Sequence, residues 1–289
     1  MTRRDNTMVR EIDEGELRTA EQLREAYEIE KGLSDRLRSA SRSERGHLYA
    51  SLYDEFFRRV PLTPQLTNKL SPEKIRQLLE LQFGFLSRFL TKDSVFLEIG
   101  PGDCSLSLEA CKFVRTVYAV DVSAEITKTM MVPQNFQLIL SDGCSVPLPS
   151  ESVSIAFSDQ LMEHLHPDDA LEQLKEIRRT LTPGGMYICI TPNRLTGPHD
   201  ISKYFDEVAT GFHLREYTFS ELRKIFHEAG FSRVRAYAYV RGMTARLPVL
   251  LPMVCEFSLP LLPRTLRKRA VRTLPFRVLL NIRLVGVRS

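Results

Sequence analysis

Cysteine is scarce and unpaired in this sequence. The five residues at 104, 111, 144, 189 and 255 form no Cys-x-x-Cys pair and show no metal-like spacing. An odd, scattered set speaks for reduced thiols in a cytosolic protein rather than for a disulfide framework. The opening stretch MTRRDNTMVREIDEGELR holds no apolar core of the kind a secretory leader carries, so no secretory signal is expected. An unbroken membrane-spanning run is missing as well. The most apolar segment, LPVLLPMVCEFSLPLLP (247–263), contains four prolines and Glu256 within 17 residues, which speaks against a spanning helix. Repeats and low-complexity tracts are also absent. Acids nearly vanish from the C-terminal region: residues 241–289 hold ten Lys/Arg against Glu256 alone, leaving 30 basic and 35 acidic residues in 1–240. That asymmetry reads as an interaction surface or as a solvated basic face.

What is present, 43% hydrophobic and 26% charged residues over 289, is the composition of a globular protein with a sizeable core. Residues 11–46, rich in Glu, Arg and Leu, predict a peripheral helix, and HLYASLYDEFFRRVP (47–61) a second that stops at Pro61. LTPQLTNKLS is a loop. Ser71-Pro72 reads as an N-cap with proline at the first helical position, followed by a helix over 74–90. From Asp93 short apolar runs alternate with helical stretches. VFLEIG (95–100), TVYAVDV (116–122), FQLILSD (136–142), SVSIAFSD (152–159), GMYICITPN (185–193), SRVRAYAYV (232–240) and FRVLLNIRLVGV (276–287) predict strands, with a helix near 168–181. Buried strands separated by helices give an α/β fold with a parallel sheet covered on both faces. The expected organisation is an N-terminal helical extension or cap over 1–91 and one α/β domain over 92–289.

The stretch LEIGPGDCSLSLEA (97–110) runs a strand into Gly100-Pro101-Gly102 and then into a helix. Such a corner brings backbone N–H groups beside a ligand, although tight turns of this kind also occur without one. Asp121 ends the next strand about 20 residues on, where a carboxylate accepts ribose hydroxyls. Asp142 ends the third strand with Gly143 after it, suited to an adenine amino group. Ligands of open α/β sheets bind along this carboxyl edge. A carboxylate at Glu98, beside the glycines, would repel a pyrophosphate and suits an ammonium or sulfonium group. The rival reading is an NAD-dependent oxidoreductase, against which stands Ser105 where a third dinucleotide glycine would fall.

At these residues the chain resembles the class I S-adenosylmethionine-dependent methyltransferases, of the type 11 or ubiquinone-pathway kind, over roughly 93–289. LEIGPGD, VYAVDVS, LSDGCSVPLPSESVSIAFSDQLMEHL and LTPGGMYICITPN match the family's successive motifs. The resemblance implies a doubly wound, Rossmann-like sheet of seven mostly parallel strands, the last antiparallel. It implies S-adenosylmethionine as cofactor, with Glu98, Gly100 and Gly102 bordering its methionine part, Asp121 at the ribose, and Asp142 with Gly143 at the adenine. Val122, Asp159 and Gln160 are counted with the cofactor residues.

Methyl transfer needs the acceptor held in line with the donor, and sometimes a proton removed. SDQLMEHLHPDD follows the fourth strand, where the acceptor belongs, and Glu163 and His164 are expected to begin a helix there. His164 is the candidate general base, with Glu163 and His213 beside it; the plainer reading is that Glu163 and His164 pack a helix on the sheet. Together with Thr191-Pro192-Asn193 and His213, they resemble part of a pattern in ubiquinone-pathway O-methyltransferases and small-RNA 2′-O-methyltransferases, some of which bind a divalent cation. Gln160 stands where that pattern has glutamate, and as a neutral, weaker ligand it leads to the expectation of no metal. His166 reads as a loop residue, and His199 and His227 as structural or surface residues.

A parallel sixth strand delivers the chain to the ligand edge, so the apolar, basic insertion over about 242–275 begins above the site. Apolar and cationic together suit a membrane surface or a lipid-linked, anionic acceptor, or else a lid or subunit contact. The expected protein is a cytoplasmic methyltransferase of a small-molecule or lipid-linked acceptor, with peripheral membrane contact through its basic C-terminal region. The alternatives are an RNA methyltransferase, for which no recognisable nucleic-acid module speaks, and a non-catalytic cofactor-binding interaction protein. No DNA partner is expected.

Overall fold

Strand residues that alternate between two apolar layers build the sheet. In β1 (Val95–Ile99) Leu97 and Ile99 enter one hydrophobic cluster while Phe96 enters the other. The same period of two divides Val120 from Val117 and Ala119 in β2 (Thr116–Asp121), and Ala156 from Ile155 and Phe157 in β4 (Val153–Asp159). Both faces are therefore covered, as a parallel sheet requires. The computed structural model describes residues 12, 16–63, 71–123, 131–240 and 242–289.

With β3 (Phe136–Leu140), β5 (Leu181–Thr191), β6 (Arg233–Val240), β7 (Met243–Leu247) and β8 (Ile282–Val287), the described residues form one eight-stranded sheet, ordered β3-β2-β1-β4-β5-β8-β6-β7. The first five in that order are parallel, and β8 lies antiparallel between β5 and β6. The doubly wound class and the antiparallel last strand hold. The strand count is corrected from seven to eight, because Met243–Leu247 turns back as an antiparallel edge strand along β6. The order reverses between β1 and β4, and the carboxyl ends there open the crevice where such sheets hold ligands.

The helices correct several expected boundaries. The long N-terminal helix is two, α1 (Ala20–Ser39) and α2 (Arg42–Arg59), because Ala40 is extended and Ser41 starts a new capping box with Glu44. Residues 11 and 13–15 of that expected helix, and 64–70 of the expected loop, lie outside the described residues. Ser71 Oγ caps α3 (Pro72–Leu86) by accepting from Lys74 N at 3.3 Å, but α3 stops at Leu86 and a 3₁₀ turn follows. Helix α4 (Ser105–Ala110) follows the glycine corner, and α5 (Pro167–Thr180) and α6 (Phe219–Glu228) flank β5. The expected strand over 276–287 begins only at Ile282, since Leu274–Leu280 forms helix α9. The insertion adds α7 (Leu250–Ser258) and α8 (Arg264–Arg272).

The N-terminal helices share the core of the sheet domain. Leu23, Leu33 and Leu37 of α1 and Tyr49, Leu52 and Phe56 of α2 are buried in the same cluster as Leu97, Ala156 and Tyr187. At roughly 1.5–3 kcal/mol per fully buried large apolar side chain, this contact is a substantial part of the fold's stability. α3 lies on the opposite face, where Phe85 and Leu86 join Phe96, Val117 and Phe157.

Candidate active site

Three carboxylates stand at the ends of adjacent strands, because β1, β2 and β3 are parallel and in register: Glu98 pairs with Ala119, and Asp121 with Leu140. Glu98 is buried and accepts from Ser107 Oγ at 2.5 Å. Burial, with the charges of Asp159 and Asp103, pushes its carboxyl up to about 8 despite that hydrogen bond. The chain then turns through Gly100 (φ 66°), Gly102 (φ 55°) and Cys104 (φ 59°). A Cβ on Gly100 would stand 3.0 Å from Leu161 Cδ1, whereas one on Gly102 would meet nothing within 4 Å. The corner is thus packed on one side and open on the other, where a ligand can approach the backbone.

Asp121 accepts from Ser123 N at 3.1 Å, and burial raises its carboxyl. Val122 follows it, half-buried. Asp142 is engaged differently from what the sequence implies. Burial would raise its carboxyl, yet Oδ1 accepts from Ser145 N and Oγ (both 2.7 Å) and Cys144 N (3.0 Å), which hold it below the usual range. It closes its own turn with one oxygen. Gly143 (φ 88°) lies against α2, where a Cβ would come 2.8 Å from Tyr49 Cδ2.

Asp159 ends β4 and accepts from Gln82 Nε2 of α3 at 2.9 Å and Gln160 Nε2 at 3.2 Å. Burial raises its carboxyl, and its charge in turn helps raise both Glu98 and Glu163, so it bridges the two halves of the site electrostatically.

Glu163 and His164 do not begin a helix. They lie in a 3₁₀ turn over Met162–His164, and α5 starts at Pro167, with His166 Nδ1 as the cap accepting from Asp168 N at 3.3 Å. The proline at the first helical position excludes an earlier start. Folding brings Glu163, His164 and His213 together: one donor atom from each lies within 4.8 Å of the others. Glu163 is fully buried, with Oε2 accepting from Thr191 Oγ1 at 2.8 Å and Oε1 without a hydrogen-bond partner. Burial pushes its carboxyl up to about 7, against the pull of His213.

The two imidazoles differ in character. His164 is pushed down to about 3 by burial and by His213, and its Nδ1 meets Phe212 O at 3.1 Å and Tyr53 Oη at 3.0 Å. Burial would lower His213 too, but Glu216, 2.8 Å from its Nδ1, raises it. Glu216, which burial would raise, is held down to about 2 by His199 and His213. With both Nδ1 atoms engaged, Nε2 is the remaining donor on each ring, the usual arrangement for a metal-bound histidine. The Gln160 amide reaches Asp159 instead of this cluster.

The N-terminal helices complete the site, which sequence reasoning did not find. Arg45 of α2 donates to both oxygens of Asp169 at 2.6 Å, and Tyr49 Oη donates to Asp169 at 2.7 Å, all buried. Glu30 of α1 accepts from Phe212 N at 2.9 Å, and Arg38 donates to the carbonyls of Thr210, Gly211 and His213. A cavity of about 280 Å³ lies between these helices and the 199–213 segment, lined by Glu30, Tyr53, His164, Phe212 and His213 among others. A second cleft is walled by Arg42, Gly46 and His47 of α2 and by Leu140, Asp142 and Ser145. His199 sits on Glu216 and Thr196, and His227 Nδ1 on Phe231 O at 2.9 Å, both in structural contacts.

Residues 97–189 match the family model described as a methyltransferase domain. An S-adenosylmethionine-dependent methyltransferase by name from Mycolicibacterium smegmatis is 37% identical over 86 residues, 30% of this chain and 31% of that protein. One from Mycobacterium tuberculosis H37Rv is 30% identical over 152 residues, covering 52% and 53%. A demethylmenaquinone methyltransferase of Staphylococcus saprophyticus is 28% identical over 177 residues, covering 50% of this chain and 72% of that one. The chain thus spans about half the length, or less, of the first two relatives. Among solved structures, a chain in the complex of the Haloferax volcanii Trm112 methyltransferase activator with a methyltransferase superposes with a TM-score of 0.51 at 17% identity, over 86% of this chain and 100% of that one. A methyltransferase from Archaeoglobus fulgidus gives 0.50 at 17% identity, over 74% and 94%; at such identities the likeness is one of fold. On its motifs, its sheet and these relatives, the chain is similar to the class I S-adenosylmethionine-dependent methyltransferases, with a methyltransferase-domain match over residues 97–189.

Proposed function

We propose that this protein transfers a methyl group from S-adenosylmethionine to a small-molecule or lipid-linked acceptor. The observation that carries the reading is the row of acids along the carboxyl edge, Glu98, Asp121 and Asp142, beside an open glycine corner. Glu98, Gly100 and Gly102 hold the methionine end, Asp121 and Val122 the ribose, and Asp142 and Gly143 the adenine, with Asp159 and Gln160 closing the donor side. The bound cofactor supplies a methyl group on a positively charged sulfur. Glu98, which burial makes reluctant to ionise, gains most from a cation beside it, and a pyrophosphate there would gain nothing. Residues 1–91 act as a cap over an α/β domain of 92–289, with α2 covering the adenine end.

On the acceptor side, Glu163 is the better base. Its carboxyl titrates near 7, while His164 near 3 stays neutral and binds protons poorly. His213, whose imidazole Glu216 raises against the effect of burial, stands beside Glu163 and positions the acceptor. The name of the Staphylococcus relative supports an acceptor in the lipid-linked class.

A second reading is favoured by the unpartnered Glu163 Oε1 and the engaged Nδ1 atoms: the cluster holds a divalent cation. The displaced Gln160 leaves only three protein ligands, and metal-free proton handling is the reading put forward here. The test is transfer of labelled methyl from S-adenosylmethionine into lipid, small-molecule and RNA extracts, with and without EDTA. Labelling of a lipid or small molecule that survives EDTA is expected. Loss with EDTA, restored by a divalent cation, establishes the metal reading, and labelling of RNA alone overturns the proposed acceptor class.

A further inference from the structure

Helix α7 is inside out. Its buried stripe is Pro252, Glu256 and, one turn beyond, Leu259, whereas Leu250, Val254, Phe257 and Leu261 recur at helical spacing on the outer face. Phe257, Leu261 and Leu250 are 77%, 74% and 69% exposed. The buried acid is an anchor. Glu256 accepts from Asn193 Nδ2 at 3.1 Å, from Ser220 N at 3.0 Å and Oγ at 2.7 Å, and from Phe219 N. It ties α7 to the start of α6 and to the loop after β5.

Helices α8 and α9 extend this face. α9 packs on both α7 and α8, and α8 lies against the 194–196 turn. Leu262, Leu266 and Leu274 are exposed, interspersed with exposed Lys268, Arg269, Arg272 and Arg277. Glu256 is the sole acid from residue 242 onward and is turned inward, so α7, α8 and α9 themselves present apolar and cationic side chains and no exposed acidic one. A face of this size would ordinarily be covered. A protein partner or second copy would be met by apolar area with charges of both signs at the rim, whereas an anionic leaflet asks for cations around inserted apolar tips and for no acids.

We infer that α7, α8 and α9 form a docking face for an anionic membrane surface, with Phe257, Leu261 and Leu250 entering the interface and the α8 cations meeting lipid headgroups. The anchoring of Glu256 to Asn193, two residues past Thr191, ties the helix that carries this face to the segment leaving the acceptor cluster, and a membrane-held acceptor is the kind of substrate that the site proposed above would take.

Flotation of the full chain with vesicles tests the inference, with no cofactor or acceptor present, so the outcome is independent of methyl transfer. Phosphatidylcholine vesicles containing 30% phosphatidylglycerol should carry the protein at low salt, and pure phosphatidylcholine should not. Binding should weaken steeply as screening rises. The variant Arg267→Gln/Lys268→Gln/Arg269→Gln/Arg272→Gln should lose about a thousandfold in partitioning, and Phe257→Ser/Leu261→Ser about tenfold or more. Both should keep the wild-type melting temperature. No binding to anionic vesicles at low salt overturns the inference. So does a vesicle-inert protein that either dimerises through Phe257 or binds an RNA oligonucleotide through the α8 cations.

Discussion

Glu98 shows at the residue scale how one carboxyl serves both stability and binding. Its pKa of about 8 in the folded chain exceeds the unfolded value of about 4.3, so folding favours its neutral form. The stabilisation is complete below about pH 4 and is lost as pH rises through 8. Without cofactor, Glu98→Gln should therefore melt higher than the wild type at pH 9, by about 3 °C or more. The same variant should bind S-adenosylmethionine about tenfold more weakly at that pH, and the wild-type gain in affinity from pH 6 to 9 should disappear. Lower melting with unchanged affinity would remove Glu98 from the site. Glu163 gives a parallel case: the methyl-transfer rate should rise through about pH 7, and Glu163→Gln should flatten that limb. A rising limb that survives the substitution would assign the proton to another group. Residues of this kind were legible in the sequence, because a polar residue ending an apolar strand announces itself locally. The role proposed for Glu163 as the better base was not, since it depends on burial and on a histidine 50 positions away.

Elements were legible where their signal is local and ambiguous where it is not. Ser71-Pro72 marked a helix start, and the strands of the parallel core were found within a residue or two, apart from β5, whose pairing with β4 begins at Leu181. FRVLLNIRLVGV read as one strand, because an apolar run does not distinguish a buried strand from a helix end. The structure divides it at Asn281. The clamp between α2 and α5 was invisible, as Arg45 and Asp169 stand 124 residues apart. Arg45→Ala leaves a buried carboxylate unpaired and should destabilise the fold by about 3–5 kcal/mol in denaturant titration. Arg45→Met/Asp169→Leu should recover most of that loss. A single variant within about 1 kcal/mol of wild type would show that the pair is dispensable. Because α2 also walls the cleft at Asp142, the destabilised variant should lose cofactor affinity before it unfolds.

At the scale of the whole molecule, the proposed function sets two chemistries along one edge of one sheet. The donor half, from Glu98 to Asp142, is set by strand register alone and was readable from spacing. The proposed acceptor half is assembled from the 3₁₀ turn after β4, the 199–213 segment and two N-terminal helices, and none of these meetings leaves a mark in the sequence. The described residues contain no helix long and apolar enough to cross a membrane, and the lipid contact inferred above runs through the face formed by α7–α9. The central claim is that the acid-lined edge takes a cationic adenosine donor rather than a phosphate-rich dinucleotide. Calorimetric titration of the full chain with S-adenosylmethionine and, separately, with NADH tests it most directly. The account predicts measurable binding of S-adenosylmethionine, weakened by about 1.5–3 kcal/mol in Asp121→Ala, and no binding of NADH. Tight binding of NADH with none of S-adenosylmethionine would contradict it.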